Sequence, residues 1–237
     1  MESDAGQLPL SHKVWAWFEA NRKQAILGAT ILVVVGVIIA FVLYRQNEQE
    51  LAASEALSNV IVPQLTGAGG HSDTAEACLK VAAAYPKSAT AARALLLAAG
   101  GLFVEGKYSE AKAQFDRLTR EYHDSPYMGQ ALLGIAACQD AQGKTNEAMA
   151  AYKNLIDHHP AENVVSQARF ALGCLYEAQK DPEKARNQFE EVARENPYGS
   201  LGSEAGMRLE ELKMKYPKLW PAGPIPTNPV PYKIETK

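Results

Sequence analysis

Cysteine is scarce and unpaired in this chain. Its 237 residues hold three, Cys78, Cys138 and Cys174, an odd number with no C-x-x-C spacing. That argues against a disulfide framework and against a structural zinc site, which need several ligands at short spacing. Basic charge is lacking too: 24 Lys and Arg face 27 Asp and Glu, giving a net charge of −3 and a pI near 6.0. A nucleic-acid-binding chain would show a basic stripe, so no nucleic-acid partner is expected. Catalytic motifs are missing as well. Ser200 and Ser203 lie beside Gly199 and Gly202 without the G-x-S-x-G spacing of a nucleophile elbow. Gly143-Lys144-Thr145 copies the end of a phosphate loop, but the first glycine of G-x-x-x-x-G-K-[ST] would fall on Cys138. His158 and His159 are adjacent, whereas metal-binding helical pairs prefer i, i+4 as in H-E-x-x-H. No enzyme is expected, and no catalytic residue, cofactor, metal ion or small-molecule substrate.

What the sequence does hold is one uncharged apolar run, Ala25 to Tyr44. At about 1.5 Å per residue, twenty helical residues span about 30 Å, the thickness of a bilayer's hydrocarbon core. A cleaved signal would have a shorter apolar region ending in small residues, and here the run leaves through Phe41-Val42-Leu43-Tyr44-Arg45. An uncleaved anchor is expected. Ahead of it, Val14-Trp15-Ala16-Trp17-Phe18 reads as an interfacial lead-in or as a docking helix for a membrane partner. Lys13, Arg22 and Lys23 precede the span, while Arg45 stands alone beyond it until Lys80. The positive-inside rule then puts the N-terminus in the cytoplasm and the large domain outside it. Gly36 and Ala40 offer a close-approach face to another membrane helix.

The rest of the chain repeats every 37 residues. Pro86, His123, Pro160 and Pro197 form one column, and Val81, Leu118, Leu155 and Val192 another. Cys78, Phe115, Tyr152 and Phe189 recur in step, as do Thr74, Ala111, Ala148 and Ala185, and Ala94, Ala131, Ala168 and Ala205. Gly69, Gly106 and Gly143 hold a turn position that Lys180 breaks. The spacing of small residue, aromatic four later and aliphatic three later is one face of a helix, and the glycine makes the turn inside each hairpin. Cys78 then reads as a small core residue, and His159, in the column of Tyr85 and Tyr122, as a helix-end cap. The register brings Cys138 and Cys174 near each other without specifying bonding geometry.

These columns resemble the tetratricopeptide repeat, with about three residues added in each loop between units. Tyr85-Pro86-Lys87-Ser88 and the longer period also resemble bacterial envelope proteins of the YbgF and BamD type. The expected fold is all-α: a single transmembrane helix, then an α-solenoid of about four hairpins at 55–91, 92–128, 129–165 and 166–202. A lone helix from about Leu201 to Tyr216 caps it, with Glu204, Arg208, Glu211 and Lys215 on a solvated face. Expected boundaries are 1–24 for a cytoplasmic segment, 25–44 for the anchor, 45–216 for the repeats and 217–237 for a proline-rich flexible tail. No Gly or Ser linker precedes Gly67, so helix continuing past Arg45 would hold the stack close to the membrane.

The first 60 residues resemble the YfgM-type ancillary subunits of the Sec translocon. The likeness rests on Trp17-Phe18-Glu19-Ala20-Asn21-Arg22-Lys23-Gln24-Ala25, the glycine-containing span and Arg45-Gln46-Asn47-Glu48. It implies a bacterial inner-membrane protein with a periplasmic domain that binds proteins, acting on exported chains beside translocon subunits. The alternatives are a scaffold for peptidoglycan synthesis or outer-membrane assembly, and an organelle-anchored receptor if the topology is reversed. Tetratricopeptide likeness implies that the first helices line a concave protein-binding surface. On this register its contacting positions are Arg93, Leu96, Phe103, Gln130, Leu133, Asp140, Gln167, Phe170 and Glu177. Leu96, Leu133 and Phe170 either form an apolar groove or pack on neighbouring helices of a tight superhelix.

Overall fold

A computed structural model describes residues 21–65, 71–159, 164–195 and 197–220. The lead-in around Trp15, the turn at 66–70 and the tail from Pro221 onward lie outside the described residues. Within them the chain is helical: α1 (Arg22–Leu65), α2 (His71–Ala84), α3 (Ala89–Val104), α4 (Tyr108–Glu121), α5 (Met128–Ala141), α6 (Thr145–His158), α7 (Val165–Ala178), α8 (Pro182–Glu195) and α9 (Ser200–Lys215). A short 3₁₀ turn, Pro217–Leu219, follows.

Helix α1 has 44 residues, about 66 Å of unbroken helix. Its most apolar stretch has a mean hydropathy of 3.1 and buries none of its residues, so one described helix is long and apolar enough to cross a membrane. From Ile26 to Tyr44 its large side chains are exposed, Leu32 at 74% and Phe41 at 63%. Burial begins only at Ala53 and Leu57, where the same helix joins the repeat core. The opening helix of the first repeat is therefore the far end of α1, with Pro63 inside it.

Three regular hairpins follow, α3–α4, α5–α6 and α7–α8, each helix packed on the next, and α9 closes the row against α8. The register columns are the core. Ala94, Ala131, Ala168 and Ala205 are all 0% exposed, as are Ala111, Ala148 and Ala185. A methyl group is the largest side chain that lets two helix backbones approach this closely, so alanine recurs at the crossings. Phe115, Tyr152 and Phe189 fill the space beside them, with Leu118, Leu155 and Val192 one turn further on. Cys78 is buried in the aromatic column, as its register implies.

Each hairpin turns through a residue of positive φ: Gly106 at +78°, Gly143 at +73° and Lys180 at +60°. In all three the next amide reaches back five residues, as in Lys107 N–H to the Leu102 carbonyl at 2.9 Å and Asp181 N–H to the Tyr176 carbonyl at 2.9 Å. This closure satisfies the last helical carbonyls and requires the left-handed conformation. Lysine adopts it in the third hairpin because the same pair of hydrogen bonds holds it there, at a cost of about 1–2 kcal/mol relative to glycine.

Two hydrophobic clusters run along the stack, one from Leu57 to Cys138 and one from Ala136 to Leu212. They abut at α5, whose buried residues are all small: Gly129, Ala131, Ala136 and Cys138. Packing does not end at Tyr216. Tyr216 and Trp220 lie against the second cluster, Arg186 donates to the Leu219 carbonyl at 2.6 Å, and its guanidinium stands 5.6 Å from the Trp220 ring centre. Among the described residues, packing thus continues past Tyr216 as far as Trp220.

Candidate protein-binding site

Helix α1 touches α3, α3 touches α5, and α7 touches α9, whereas α5 and α7, like second helices of neighbouring hairpins, meet marginally at most. The first helices therefore line one side of the row. The sequence-predicted positions fall on these helices in three rows. The row Arg93, Gln130 and Gln167 is exposed at both ends and half-buried at Gln130, whose Oε1 is buried and meets no donor among the described residues. The row Phe103, Asp140 and Glu177 is half-buried throughout.

The row Leu96, Leu133 and Phe170 is half-buried too, and each member packs on core. The Phe170 ring lies 5.4 Å from that of Phe189 between centres. Phe103 makes an edge contact with Tyr108 at 5.1 Å. These side chains thus support the hairpins with one edge and leave the other partly open.

Charge on this face is sparse and partly desolvated. Burial raises the Asp140 carboxyl above the usual carboxylate range, and no ion pair to it occurs among the described residues. Glu177 faces Arg208 of α9 at 3.9 Å, and Arg208 also reaches Glu211 at 3.5 Å. Glu177 and Arg208, together with Cys174, Ala178 and Lys215, line a cavity of about 360 Å³ between α7 and α9. Arg208 is thus half-buried at an interhelical contact, where the sequence suggested a solvated face.

Two residues on this surface escaped the sequence reading. Met207 and Met214 of α9 are large apolar side chains left 62% and 77% exposed. The signal was present: Met207 stands 37 residues after Phe170, and Met214 stands 37 after Glu177. Treating α9 as a cap alone hid them. Flexible thioethers adapt to varied apolar partners, which suits them to a recognition surface.

The remaining candidates are structural. His159 caps α6, its N–H donating to the Leu155 carbonyl at 3.0 Å. Cys78, Cys138 and Cys174 are free thiols; burial raises all three, Cys138 to about 11. Among the described residues no three His, Cys, Asp or Glu side chains gather as metal ligands would.

A row of helical hairpins defines an α-solenoid, a fold that is typically a non-enzymatic scaffold for protein interaction. The family described as "Tetratricopeptide repeat-like domain" matches residues 15–153 and again 106–204, and the chain belongs to it. Among solved structures, a tetratricopeptide repeat protein from Parabacteroides merdae is similar at 16% identity and a TM-score of 0.55, over 71% of this chain and 63% of that one. MamA from Desulfovibrio magneticus is similar at 15% identity and a TM-score of 0.54, over 69% and 84%. This chain thus spans less than two thirds of the Parabacteroides protein's length. At these identities the likeness concerns the fold. No curated protein matches the sequence.

Proposed function

We propose that this protein is a membrane-anchored adaptor that binds other proteins through the inner face of its repeats. In this reading it serves as an ancillary, chaperone-like factor at the Sec translocon and acts on exported proteins. The observation that carries it is α1, a single unbroken helix that is bare and apolar over 25–44 and part of the repeat core from Ala53 onward. Such a helix cannot swing freely, so the inner face stands beside whatever else occupies that membrane. Single-pass insertion with the N-terminus in the cytoplasm and the repeats in the periplasm follows from the charge bias around the span.

Photo-crosslinkers at Met207 and Met214 test the binding face, with Ala113 on the second-helix side as the control. The reading expects protein adducts from the two methionine positions, dominated by translocon subunits and exported chains. Equal adducts from Ala113 would remove the inner face from the account. The 37-residue units favour a second reading, a scaffold in envelope assembly; adducts with wall synthases or outer-membrane assembly proteins would select it.

A further inference from the structure

Besides its apolar packing at Ala53 and Leu57, α1 meets the repeats through one carboxylate. Glu50 of α1 accepts hydrogen bonds from the backbone N–H groups of Ala89 and Thr90, each at 2.9 Å, and from the Thr90 hydroxyl. It thereby occupies the N-terminus of α3 from a different helix. Ser88 completes the cap by accepting from Ala91 N–H at 2.9 Å. A carboxylate at this position complements the helix dipole as well as the open amides.

This contact fixes a height. Glu50 lies six residues beyond Tyr44, about 9 Å of helix past the end of the apolar run. Helix α1 then rises another 15 residues to Leu65, about 22 Å, and the 14 residues of α2 return about 21 Å. The turn at Pro86, Lys87 and Ser88 is therefore brought back to the level of Gln46 to Glu50, with which it lines a cavity of about 500 Å³. The next loop lies beside it: Lys87 N–H donates to the Tyr122 hydroxyl at 3.3 Å, and a second cavity is lined by Lys87, Ser88 and the run Tyr122 to Pro126. The polar headgroup layer is about 5–7 Å thick on each side of the hydrocarbon. Positions about 3–9 Å past the apolar boundary lie within it or at its outer edge.

The geometry points to a second membrane contact: the loop rim formed by Pro86–Ser88 and Tyr122–Pro126 rests on the phospholipid headgroups of the bilayer that α1 crosses, at a height set by Glu50. The side chains suit that layer. Lys87 is exposed and cationic, His123 is exposed with the Asp124 carboxylate 3.0 Å from its ring, and the half-buried Tyr122 has an amphipathic ring. The opposite rim, with Gly106-Lys107 and Gly143-Lys144, is separated from it by the 16 residues of α3, about 24 Å. The inner face consequently lies edge-on to the membrane, open to neighbours at the bilayer surface.

This inference rests on the anchor reading, and the test separates the two. Full-length protein in phosphatidylethanolamine–phosphatidylglycerol vesicles carries one spin label, at Lys87→Cys, His123→Cys, Lys107→Cys or Lys144→Cys, in a Cys174→Ala background. Relaxation by a nickel-chelating lipid headgroup reports proximity to the surface. The expected result is co-flotation with the vesicles and at least a threefold greater relaxation at 87 and 123 than at 107 and 144. Adding Glu50→Ala, with helicity checked by circular dichroism, is expected to erase most of that difference. Co-flotation with equal relaxation at all four sites would overturn the rim contact and leave the anchor standing. A persisting difference in Glu50→Ala would overturn the role of Glu50. Protein that does not float with the vesicles would overturn the anchor and the rim contact together.

Discussion

Replacing Gly134 with alanine asks whether the aromatic column seats where the packing puts it. A Cβ at this position would stand 2.4 Å from Phe115 Cζ, 2.5 Å from Cε2 and 2.7 Å from Cε1. Phe115 projects from α4, which packs between α3 and α5, and is only 5% exposed, so its ring has no open space to move into. Overpacking of this kind costs about 1–3 kcal/mol. Alanine in a helix interior gains about 1 kcal/mol over glycine, which leaves a net loss of about 0–2 kcal/mol. Gly206 in α9 supplies the internal control, because a Cβ there meets nothing within 4 Å and the full propensity gain of about 1 kcal/mol is realised. The difference between the two variants isolates the clash, about 1–3 kcal/mol, or about 2–12 °C in melting temperature for a chain of this size. Thermal melts followed at 222 nm on the full chain in detergent measure it. Gly206→Ala should melt above the parent and Gly134→Ala at or below it, with Phe115→Leu recovering part of the loss in the double variant. Equal gains from both substitutions would refute the packing of Phe115 against α5.

Lys180→Gly should stabilise the third hairpin by about 1 kcal/mol, read as a higher urea midpoint, because glycine adopts the left-handed turn without strain. Glu50→Ala should cost about 1–2 kcal/mol, since it uncaps α3 by removing the acceptor of the Ala89 and Thr90 amides, while Glu48→Ala nearby should change little. Stability should fall as pH rises from about 9 to 11. The Cys138 thiol is held up at about 11 by burial, so the unfolded chain loses that proton first; its contribution is complete below pH 9 and is lost through the folded value. Urea midpoints at pH 8 and pH 10.5 should differ by on the order of 2 kcal/mol, and Cys138→Ala should shrink the gap. Asp140→Asn should be neutral or slightly stabilising at pH 7, because burial penalises the ionised carboxylate; a loss above 1 kcal/mol would reveal a partner for it.

Local chemistry made most of the fold legible. The alanine, aromatic and aliphatic columns recur because each hairpin solves one packing problem, so Ala131 or Leu155 could be assigned from its register alone. Glycine at 106 and 143 marked two hairpin turns, whereas Lys180 concealed the third: the hydrogen-bond closure, and not the residue type, is what repeats. Hydropathy marks where α1 is bare but not where it ends, and its continuation to Leu65 depends on tertiary contacts at Ala53 and Leu57. Glu50 was invisible because its partners lie about forty residues away at another helix's first turn. The inner face was legible as rows of positions but not as exposure. Leu133 and Phe170 occupy the expected rows, yet half of each is spent on core, so charged substitutions there would perturb folding as much as binding. Met207 and Met214 are the cleaner probes.

Orientation of the repeats relative to the membrane is the claim on which the rest depends. The native cysteines serve poorly for it, with Cys78 and Cys138 buried and Cys174 half-buried behind a raised pKa. Tyr198, fully exposed in the loop before α9, is the better position. Tyr198→Cys in otherwise cysteine-free protein should react with a membrane-impermeant maleimide in cells whose outer barrier has been opened but whose inner membrane is intact. The account predicts labelling of Tyr198→Cys equal to that in lysed cells, alongside an unlabelled cytoplasmic control. Labelling that appears only after lysis would contradict it.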